Sequence, residues 1–467
     1  MSRIIILLFG IWSLASMSFA QQRPNILLIV SDDHGKEAIG AYGNPVIKTP
    51  AMDRLAAEGI KFNNAFCTSA SCSASRSVIL TGKFGHATGH YGHEHAYHHF
   101  STFDGVKSLP VMLEASGYRT ARVGKYHLAP EKVYHFQHVL PSNCRNPVEM
   151  AEASNSFMSN SDDPFFLYYC PCDPHRSHDN ANDKPFKPNL FGNKKNGYKG
   201  VTTQSYKPEE VIVPGFLPDT EATRQELAQY YESVSRVDQG LETLIRQLKE
   251  SGKYDNTLII YISDNGVAFP GAKTTLYEPG MRLPMLVKMP KQEGKGSERN
   301  QLVSWADLTP TLLEIATGQI PDEGFQGHSF TEVLHNPNTK GQPEIYAAHN
   351  FHEVTMYYPM RVIRTDRYKL IYNIAHPLQY PFASDLWASA TWQYVMNQGM
   401  EQYGKRAVET YLHHPKLELY DLKNDPDETI NLVDSPQHQE TLNAMTEKLI
   451  KFQKTTGDPW VYKWEFE

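Results

Sequence analysis

The sequence predicts an α/β protein in which a mixed, mainly parallel sheet lies between helices, followed by a smaller C-terminal α+β domain with an antiparallel sheet. Residues 25–30 and 258–262 are short apolar runs, as expected for strands that are buried on both faces of a parallel sheet. Residues 221–250, which precede the second run, carry apolar side chains at helical spacing and predict a long helix. The pattern then changes, and residues 360–372 and 417–422 predict strands of a second, antiparallel sheet.

Residues 1–20 have the features of a secretory signal peptide. Arg3 precedes an apolar run at residues 4–14, and the segment ends in the small-residue sequence Ser18-Phe19-Ala20. This run is shorter than the roughly 20 residues that a membrane-spanning helix needs, and no later segment is apolar enough to span a membrane. We therefore expect an exported protein with no membrane span. The absence of an Asn-x-Ser/Thr sequon and the small number of cysteines favour a bacterial protein, periplasmic or secreted.

The mature chain is predicted to form a larger domain at residues 21–355 and a C-terminal subdomain at residues 356–467. Its net charge of −7 argues against a general surface for nucleic acids, so local charges must hold any anionic substrate. The five cysteines are too few and too irregularly spaced for a disulfide framework. A bridge between Cys170 and Cys172 is not expected.

Shorter elements lie between these landmarks. The remaining predicted helices are residues 52–60, 108–116, 308–316 and 437–455, and the remaining predicted strands are residues 119–123 and 164–170. Residue 59, a glycine, closes the first of these helices. The helices are expected to cover the faces of the two sheets.

Acidic and amide side chains follow the two apolar strands directly. Asp32 and Asp33 come after the first strand, and Asp264 and Asn265 come after the second. Ligands of open α/β sheets bind at the carboxyl ends of the strands, and adjacent carboxylates repel each other unless a positive group binds them. These four side chains offer only oxygen donors, which select calcium or magnesium rather than zinc. A helix cap or a turn is the alternative interpretation of the Asp32-Asp33 pair.

A cysteine among small residues forms the centre of the candidate site, in the sequence Cys72-Ser73-Ala74-Ser75-Arg76, with Leu80-Thr81-Gly82 after it. Ser73 or Ser75 is predicted to cap a helix over the apolar run that follows, which places Cys72 near a helix N-terminus. The N–H groups and the dipole favour negative charge there, and Arg76 adds a fixed positive charge. Such surroundings suit a nucleophile that attacks an anionic ester. A buried structural cysteine is the alternative.

Basic side chains follow one further predicted strand. Lys125 and His127 lie beyond residues 119–123, and their spacing allows both to point to the same side. Six further histidines cluster in one tract: His86, His90, His93, His95, His98 and His99. A histidine-rich tract invites a zinc interpretation, but no ligand spacing stands out, and we interpret most of these residues as pocket or loop residues.

The cysteine motif, together with Leu80-Thr81-Gly82 and the strand-end motifs, resembles the signature of type I sulfatases. The resemblance implies an alkaline-phosphatase-like fold. It also implies that a formylglycine-generating enzyme oxidises Cys72 to formylglycine, whose hydrate is the nucleophile. The implied calcium ligands are Asp32, Asp33, Cys72, Asp264 and Asn265.

The resemblance also implies a set of catalytic side chains. They are Cys72, Arg76, Lys125, His127, His175 and Lys273. In this scheme Arg76, Lys125 and Lys273 stabilise charge on the sulfuryl oxygens, and either His175 or Lys273 protonates the leaving group. His127 removes the second hydroxyl proton, so that sulfate is eliminated and the aldehyde returns.

Three further segments resemble one branch of the family, the heparan N-sulfatases: residues 173–176, 352–361 and 457–461. This resemblance implies an exo-acting enzyme that hydrolyses the N-sulfate of terminal N-sulfoglucosamine in heparin or heparan sulfate oligosaccharides. The chain departs from the animal enzymes at Lys273, where they carry arginine, and at Ala74, where they carry proline.

Sugar recognition is assigned to three residues of this branch: His352, Glu353 and Arg361. Packing at the seam between the two domains is the alternative for each of them.

Two other functions remain open at this point. One is an O-sulfatase that acts on another sulfated polysaccharide or glycosaminoglycan, and the other is a non-catalytic glycan-binding relative in which Cys72 stays unmodified. A phosphatase of the same superfamily is disfavoured, because its nucleophile is typically serine or threonine and its site usually holds two zinc ions with histidine ligands.

Overall fold

The computed structural model describes residues 23–177 and 187–466. The predicted signal peptide at residues 1–20 lies outside these residues. No helix within the two ranges is long and apolar enough to cross a membrane.

The central sheet has nine strands: β1 (Asn25–Ser31), β2 (Ile60–Phe66), β3 (Arg119–Gly124), β4 (His138–Leu140), β5 (Phe165–Cys170), β6 (Thr257–Ser263), β7 (Arg282–Lys288), β8 (Ser297–Arg299) and β9 (Val303–Ser304). Their order is β4-β3-β5-β1-β6-β7-β2-β8, with β9 also paired to β2. All neighbouring pairs are parallel except β6–β7 and β2–β7, because β7 runs against both of its neighbours. The predicted mixed, mainly parallel sheet is confirmed.

Helices cover both faces of the large sheet and one face of the small one. They are α1 (Pro50–Glu58), α2 (Cys72–Thr81), α3 (Gly85–Thr88), α4 (Leu109–Ala115), α5 (Pro147–Ser159), α6 (Glu221–Glu250), α7 (Glu278–Met281), α8 (Leu308–Thr317), α9 (Thr331–His335), α10 (Ser384–Trp387), α11 (Ala390–Asn397), α12 (Val408–Leu412), α13 (Gln439–Thr456) and α14 (Lys463–Phe466). The long helix predicted over residues 221–250 has the predicted bounds.

The apolar run of β1 is nearly continuous because each face of the sheet packs into its own core. Ile26, Leu28 and Val30 lie in one hydrophobic cluster, and Leu27 and Ile29 lie in the other. A strand buried on both faces has no place for a polar side chain until the chain leaves the sheet. The polar residues of β1 are therefore confined to its two ends, Asn25 and Ser31, and the candidate site lies beyond the second.

The second sheet is antiparallel, with four strands in the order β10 (Glu344–His349), β11 (Met360–Thr365), β12 (Tyr368–Asn373) and β15 (Leu417–Asp421). A two-stranded ribbon, β13 (Gln402–Tyr403) and β14 (Arg406–Ala407), lies between β12 and β15 in sequence. Helix α13 covers the four-stranded sheet through Leu442, Met445 and Leu449. The antiparallel C-terminal sheet is confirmed, but it begins at β10, ahead of the expected boundary between residues 355 and 356.

The C-terminal segments also share a core with the large sheet. Trp392 of α11 and Tyr411 of α12 belong to the same hydrophobic cluster as Ile26 of β1 and Leu227 of α6. The C-terminal part is consequently packed onto the larger domain, and its loops can complete a site on that domain.

One local feature differs from the sequence-based expectations, and another has no counterpart among them. Helix α1 ends at Glu58, because Gly59 breaks it and Ile60 already belongs to β2. A disulfide joins Cys144 to Cys172, and no spacing pattern marks these partners because they are 28 residues apart.

Candidate active site

Two adjacent strands bring their terminal oxygen-bearing side chains together. Ser31 of β1 pairs with Ser263 of β6, so Asp32 and Asp33 leave the sheet beside Asp264 and Asn265. The backbone N–H of Asp33 donates to Oδ1 of Asp264 at 3.1 Å. All four side chains are buried, with at most 1% of their surface exposed. The carboxylates of Asp32, Asp33 and Asp264 and the Cys72 sulfur each offer a ligand atom within 4.8 Å of the others.

The residues of this cluster fit a hard divalent cation. Their donors are carboxylate and amide oxygens, the type that calcium and magnesium prefer. Oδ1 of Asn265 is buried and has no hydrogen-bond partner in the part of the chain that the structure describes. The amide of Asn265 donates to Asp33 at 2.6 Å through Nδ2, which leaves this oxygen free for another ligand. A buried carbonyl oxygen without a partner costs free energy that a bound cation would recover.

Cys72 is the first residue of α2, with Ser71 as the N-cap in an extended conformation. The prediction that Ser73 or Ser75 caps this helix is wrong, because both lie inside it. Their hydroxyls instead donate to the carbonyl oxygens of His127 and Asp264, at 2.7 and 2.5 Å. The Cys72 sulfur lies 3.6 Å from Oδ1 of Asp33, so the helix start points its first side chain at the acidic cluster.

The environment of Cys72 does not activate a thiol. Burial raises the pKa of the Cys72 thiol well above its usual value, and the nearby carboxylates of Asp264 and Asp33 raise it further, while Lys125 and Lys273 oppose them. Burial and the neighbouring carboxylates therefore outweigh the helix N-terminus, which by itself would favour the negatively charged thiolate. An unmodified Cys72 remains protonated and is a poor nucleophile near neutral pH.

Each carboxylate of the cluster is paired with one basic side chain. Arg76 contacts Asp264 at 2.8 Å, Lys125 contacts Asp32 at 2.7 Å, and Lys273 contacts Asp33 at 3.0 Å. When all three carboxylates are ionised, their negative charges equal the positive charges of the three basic side chains. A divalent cation bound among them would leave a net positive charge, which favours an anionic group on the same spot.

The pairing controls protonation in the cluster. Burial alone would raise the pKa of Asp32, but Lys125 and its other cationic neighbours outweigh burial and hold this pKa far below its usual value. Burial, with a contribution from Asp32, raises the pKa of Asp264 to about 7 despite its contact with Arg76. One carboxylate is thus firmly ionised, while another accepts a proton near neutral pH.

Lys273 links the acidic cluster to a second pair of side chains. Its Nζ lies 2.9 Å from Nε2 of His175 and 3.2 Å from Oδ2 of Asp385. Burial, together with Lys273, lowers the pKa of His175 to about 3. His175 is consequently neutral near pH 7, and the ammonium of Lys273 is the proton-bearing member of the contact. Asp385 belongs to α10, and sequence reasoning misses it because nothing in its local sequence marks it.

His127 presents a free ring nitrogen inside the site. Its Nδ1 is buried and has no hydrogen-bond partner within residues 23–177 and 187–466. Its Nε2 lies 2.5 Å from Nδ1 of His95. Burial, followed by Lys125, lowers the pKa of His127 well below the usual value for histidine, so the ring is a neutral base.

The site opens into a cavity of about 590 Å³. Residues of both sequence halves line it: His93, Glu94, His95, Tyr97, His98, Lys125, His127, His175, Lys273, His352, Glu353, Ser384 and Asp385. The two lysines belong to the buried ion pairs described above, and the acids Glu94, Glu353 and Asp385 form part of the wall. A cavity of this size and polarity fits a small polar ligand such as one sugar unit.

Two of the three residues assigned to sugar recognition line this cavity, namely His352 and Glu353. Arg361 does not, and its assignment is corrected here. Its side chain is fully buried and forms a two-point ion pair with Asp458, at 2.5 and 2.9 Å. Asp458 lies 97 positions further along the chain, so Arg361 joins β11 to the C-terminal end rather than contacting a ligand.

Two family models match the chain. One is described as Sulfatase and matches residues 24–318, and the other is described as N-sulphoglucosamine sulphohydrolase, C-terminal, and matches residues 271–385. The sheet edge with its acidic cluster falls within the first match. The second match, residues 271–385, contains the cavity-lining residues Lys273, His352, Glu353, Ser384 and Asp385.

The chain is also similar to characterised proteins over almost its whole length. N-sulphoglucosamine sulphohydrolase from Homo sapiens is 36% identical, over 95% of this chain and 93% of that protein. An ulvan-active sulfatase from Formosa agariphila is 28% identical, over 95% of this chain and 83% of that protein. A solved structure of a complex with D-glucosamine-2-N,6-O-disulfate shares the fold, with a TM-score of 0.69, 24% identity and coverage of 94% and 99%.

Proposed function

This chain belongs to the sulfatase family, whose members hydrolyse sulfate esters or sulfamates, and from that premise we propose that it removes the N-sulfate of terminal N-sulfoglucosamine in heparin or heparan sulfate oligosaccharides. The enzyme acts from the chain end, because the cavity fits about one sugar unit.

One observation carries the choice of substrate. Lys273, His352, Glu353 and Asp385 all line the cavity, and all four fall within residues 271–385, the segment that matches the C-terminal model of N-sulphoglucosamine sulphohydrolase. The part of the chain with the more specific similarity therefore contributes one side of the cavity wall, while residues 93–175 contribute the other. The 36% identity to the human enzyme over 95% of the chain supports the same substrate class.

We further propose that Cys72 is converted to formylglycine by a formylglycine-generating enzyme before or during export to the periplasm or the medium. The raised pKa of the Cys72 thiol supports this, since the unmodified side chain is a poor nucleophile. Asp32, Asp33, Asp264, Asn265 and an oxygen of the modified residue 72 would hold calcium. Bound there, the cation would polarise the sulfate and favour ionisation of a nearby hydroxyl.

The side chains of this protein then have distinct tasks. Arg76 and Lys125 stay protonated beside the acidic cluster and hold negative charge on the sulfuryl oxygens. Lys273 supplies a proton to the leaving nitrogen, because it is the protonated partner in its contact with neutral His175. His127 accepts a proton at its free Nδ1. His352, Glu353 and Asp385 bind the hydroxyl groups of the sugar.

Sulfate release from two monosaccharides tests the proposal. Purified enzyme is incubated with N-sulfoglucosamine and, separately, with 6-O-sulfated N-acetylglucosamine, and free sulfate is measured. We expect release from the first only. Release from the second alone would identify an O-sulfatase instead. Release from neither, with peptide mass spectrometry showing an intact Cys72, would indicate a glycan-binding protein.

A further inference from the structure

Among the described residues of the histidine tract, His95 is the one whose ring contacts a proposed catalytic side chain through a short nitrogen–nitrogen distance. Its Nδ1 lies 2.5 Å from Nε2 of His127, and the two rings are tilted by 40° with centroids 4.6 Å apart. His95 is exposed at the rim of the cavity, whereas only 9% of His127 is exposed. His95 thus contacts the largely buried ring of His127 from the rim of the cavity.

The rings of His95 and His127 are both neutral, so a single hydrogen lies between Nδ1 of His95 and Nε2 of His127. Burial and the neighbouring Lys125 lower the pKa of both histidines below the usual value. A neutral imidazole carries its proton on one nitrogen only, and the hydrogen bond to the other nitrogen decides which. Two arrangements are therefore possible. Either Nε2–H of His127 donates to Nδ1 of His95, or Nδ1–H of His95 donates to Nε2 of His127.

Burial distinguishes the two arrangements. In the second arrangement the proton of His127 lies on Nδ1, which is buried and has no acceptor among the described residues. A buried N–H without an acceptor destabilises the folded protein, and orphaned buried N–H groups are rarer than acceptors that lack a donor. In the first arrangement Nδ1 carries only a lone pair. The first arrangement is therefore the stable one.

The backbone of His127 does not determine this choice. Ser73 donates to the carbonyl oxygen of His127 at 2.7 Å, and the residue has a positive φ of 58°. These features orient the residue, but they contact neither ring nitrogen. Among hydrogen bonds of the ring, the contact with His95 alone can select the tautomer in the part of the chain that the structure describes.

We propose that His95 is a positioning residue that holds His127 as its Nε2–H tautomer and so keeps Nδ1 available as the base. The inference rests on the proposed function for its catalytic consequence. A proton that arrives on Nδ1 of His127 makes the ring an imidazolium whose Nε2–H still donates to Nδ1 of His95. Release of the Nδ1 proton to water in the cavity, which His127 lines, restores the neutral Nε2–H tautomer for the next turnover.

Nitrogen-15 NMR of the histidine rings tests the tautomer directly, without turnover and with Cys72 either modified or not. We expect His127 to carry its proton on Nε2 in the unchanged protein. In His95→Gln the amide oxygen still accepts from Nε2–H, so the tautomer is kept. In His95→Leu no acceptor remains, and the proton distributes between both nitrogens. His99→Leu, an exposed neighbour in the same tract, is the matched control and leaves the spectrum of His127 unchanged.

Kinetics supply the second readout. His95→Leu is expected to lower kcat about 10- to 100-fold, the usual effect of removing a group that orients a ligand or base, while KM changes little. His95→Gln is expected to recover most of that loss, because its amide oxygen still accepts from Nε2–H of His127. His95→Asn serves as a second variant if His95→Leu does not fold, because the shorter amide cannot reach Nε2.

Each result has a distinct meaning. A proton on Nδ1 of His127 in the unchanged protein would overturn the inference, as would an unchanged tautomer and kcat in folded His95→Leu. Absence of sulfate release from N-sulfoglucosamine, with the Nε2–H tautomer present and lost in His95→Leu, would overturn the proposed function and leave the positioning role of His95 intact.

Discussion

At the scale of single residues, Cys72 is the proposed nucleophile and contributes little of the packing energy. Its sulfur makes one weak polar contact, 3.6 Å from Asp33, and it sits at the start of α2 rather than within its core-facing turns. We expect Cys72→Ala to abolish sulfate release and to leave the melting temperature close to that of the unchanged protein. Sulfate assays and thermal unfolding measure the two effects separately.

The control for this prediction is Cys67→Ala, a buried free cysteine outside the acidic cluster. That variant loses some stability through a small cavity and keeps its activity. Full activity in Cys72→Ala would contradict the nucleophile assignment, and so would a complete loss of activity in Cys67→Ala.

Asn265 provides a prediction for the cation. Its buried Oδ1 has no partner within the described ranges, so its removal takes away a cation ligand without breaking a hydrogen bond of that atom. Calcium at 100 times its Kd should stabilise the unchanged protein by about 2.7 kcal/mol, and zinc at the same concentration should stabilise it less. In Asn265→Ala the calcium effect should shrink. Thermal unfolding in chelator, calcium and zinc gives the comparison.

Two results would contradict a hard-cation site. One is an unchanged melting temperature when calcium is added to chelator-treated protein. The other is stabilisation by zinc that exceeds stabilisation by calcium and that is lost in Asn265→Ala, since an oxygen-only site is expected to favour calcium.

Sequence reasoning identifies the acidic cluster because its residues follow strands of distinctive composition, whereas the roles of His175 and Lys273 are predicted only from the resemblance to sulfatases. The strand pattern alone assigns Asp32 and Asp264 to one edge, since buried parallel strands end together. Asp385 and His95 cannot be assigned in this way. Their contacts lie with Lys273 and His127, at separations of 112 and 32 residues, and no local pattern encodes such contacts.

At the scale of elements, α10 acts on the site through Asp385. This side chain accepts a hydrogen bond from Lys273 and faces the cavity. A hydrogen bond to a charged group contributes about 1.5–3 kcal/mol, so Asp385→Asn is expected to lower kcat/KM for N-sulfoglucosamine about 10- to 100-fold. Steady-state kinetics measure the change.

The control for Asp385→Asn is Asp366→Asn, because Asp366 is an exposed carboxylate in the turn between β11 and β12. It removes the same charge far from the cavity lining. An equal loss in both variants would show that net charge matters rather than the contact with Lys273.

The packing of α13 on the first part of the chain allows a prediction for stability. His86 is buried between the ring of Phe84, with centroids 5.7 Å apart, and that of Phe452 of α13. Both of its ring nitrogens are buried without a partner in the described residues. His86→Phe removes two unsatisfied polar atoms from an aromatic contact and is expected to stabilise the protein by on the order of 1 kcal/mol.

The pH dependence of this variant follows from the sign of the shift. Burial lowers the pKa of His86 to about 4, with Asp458 opposing it, so between that value and 6.5 the unfolded chain binds a proton that the folded chain does not. His86 therefore costs stability as the pH falls through this range. The advantage of His86→Phe should be larger near pH 5 than near pH 7.5 in urea unfolding. An advantage that does not grow on acidification would contradict a buried neutral His86.

Elements are predictable where periodicity is strong and are missed where it is weak. Helix α6 has an unbroken apolar stripe over 30 residues, and its predicted bounds are those of the structure. Strand β2 is not predicted, and its first residue is assigned to the helix before it, because Lys61, Asn63 and Asn64 interrupt the apolar residues of the strand. Those polar side chains are tolerated because β2 lies near the edge of the sheet, beside the short strands β8 and β9.

At the scale of the whole molecule, the two sheets are predictable as separate objects, but their joint core is not. Domain boundaries read from composition assume that each sheet closes its own core. Here β10 starts the second sheet before the expected boundary, and Trp392 of α11 packs in the core of the first. The cavity lies at the resulting seam, which is why its wall residues come from distant segments.

The two sides of this seam are held in place in different ways. The ion-paired cluster at the end of β1 and β6 depends on strand pairing and tolerates little change, because each charge balances another. The side of the cavity formed by Glu353, Ser384 and Asp385 sits on loops and one short helix. Substitutions in those loops would reshape the cavity wall and leave the paired charges at the strand ends in place.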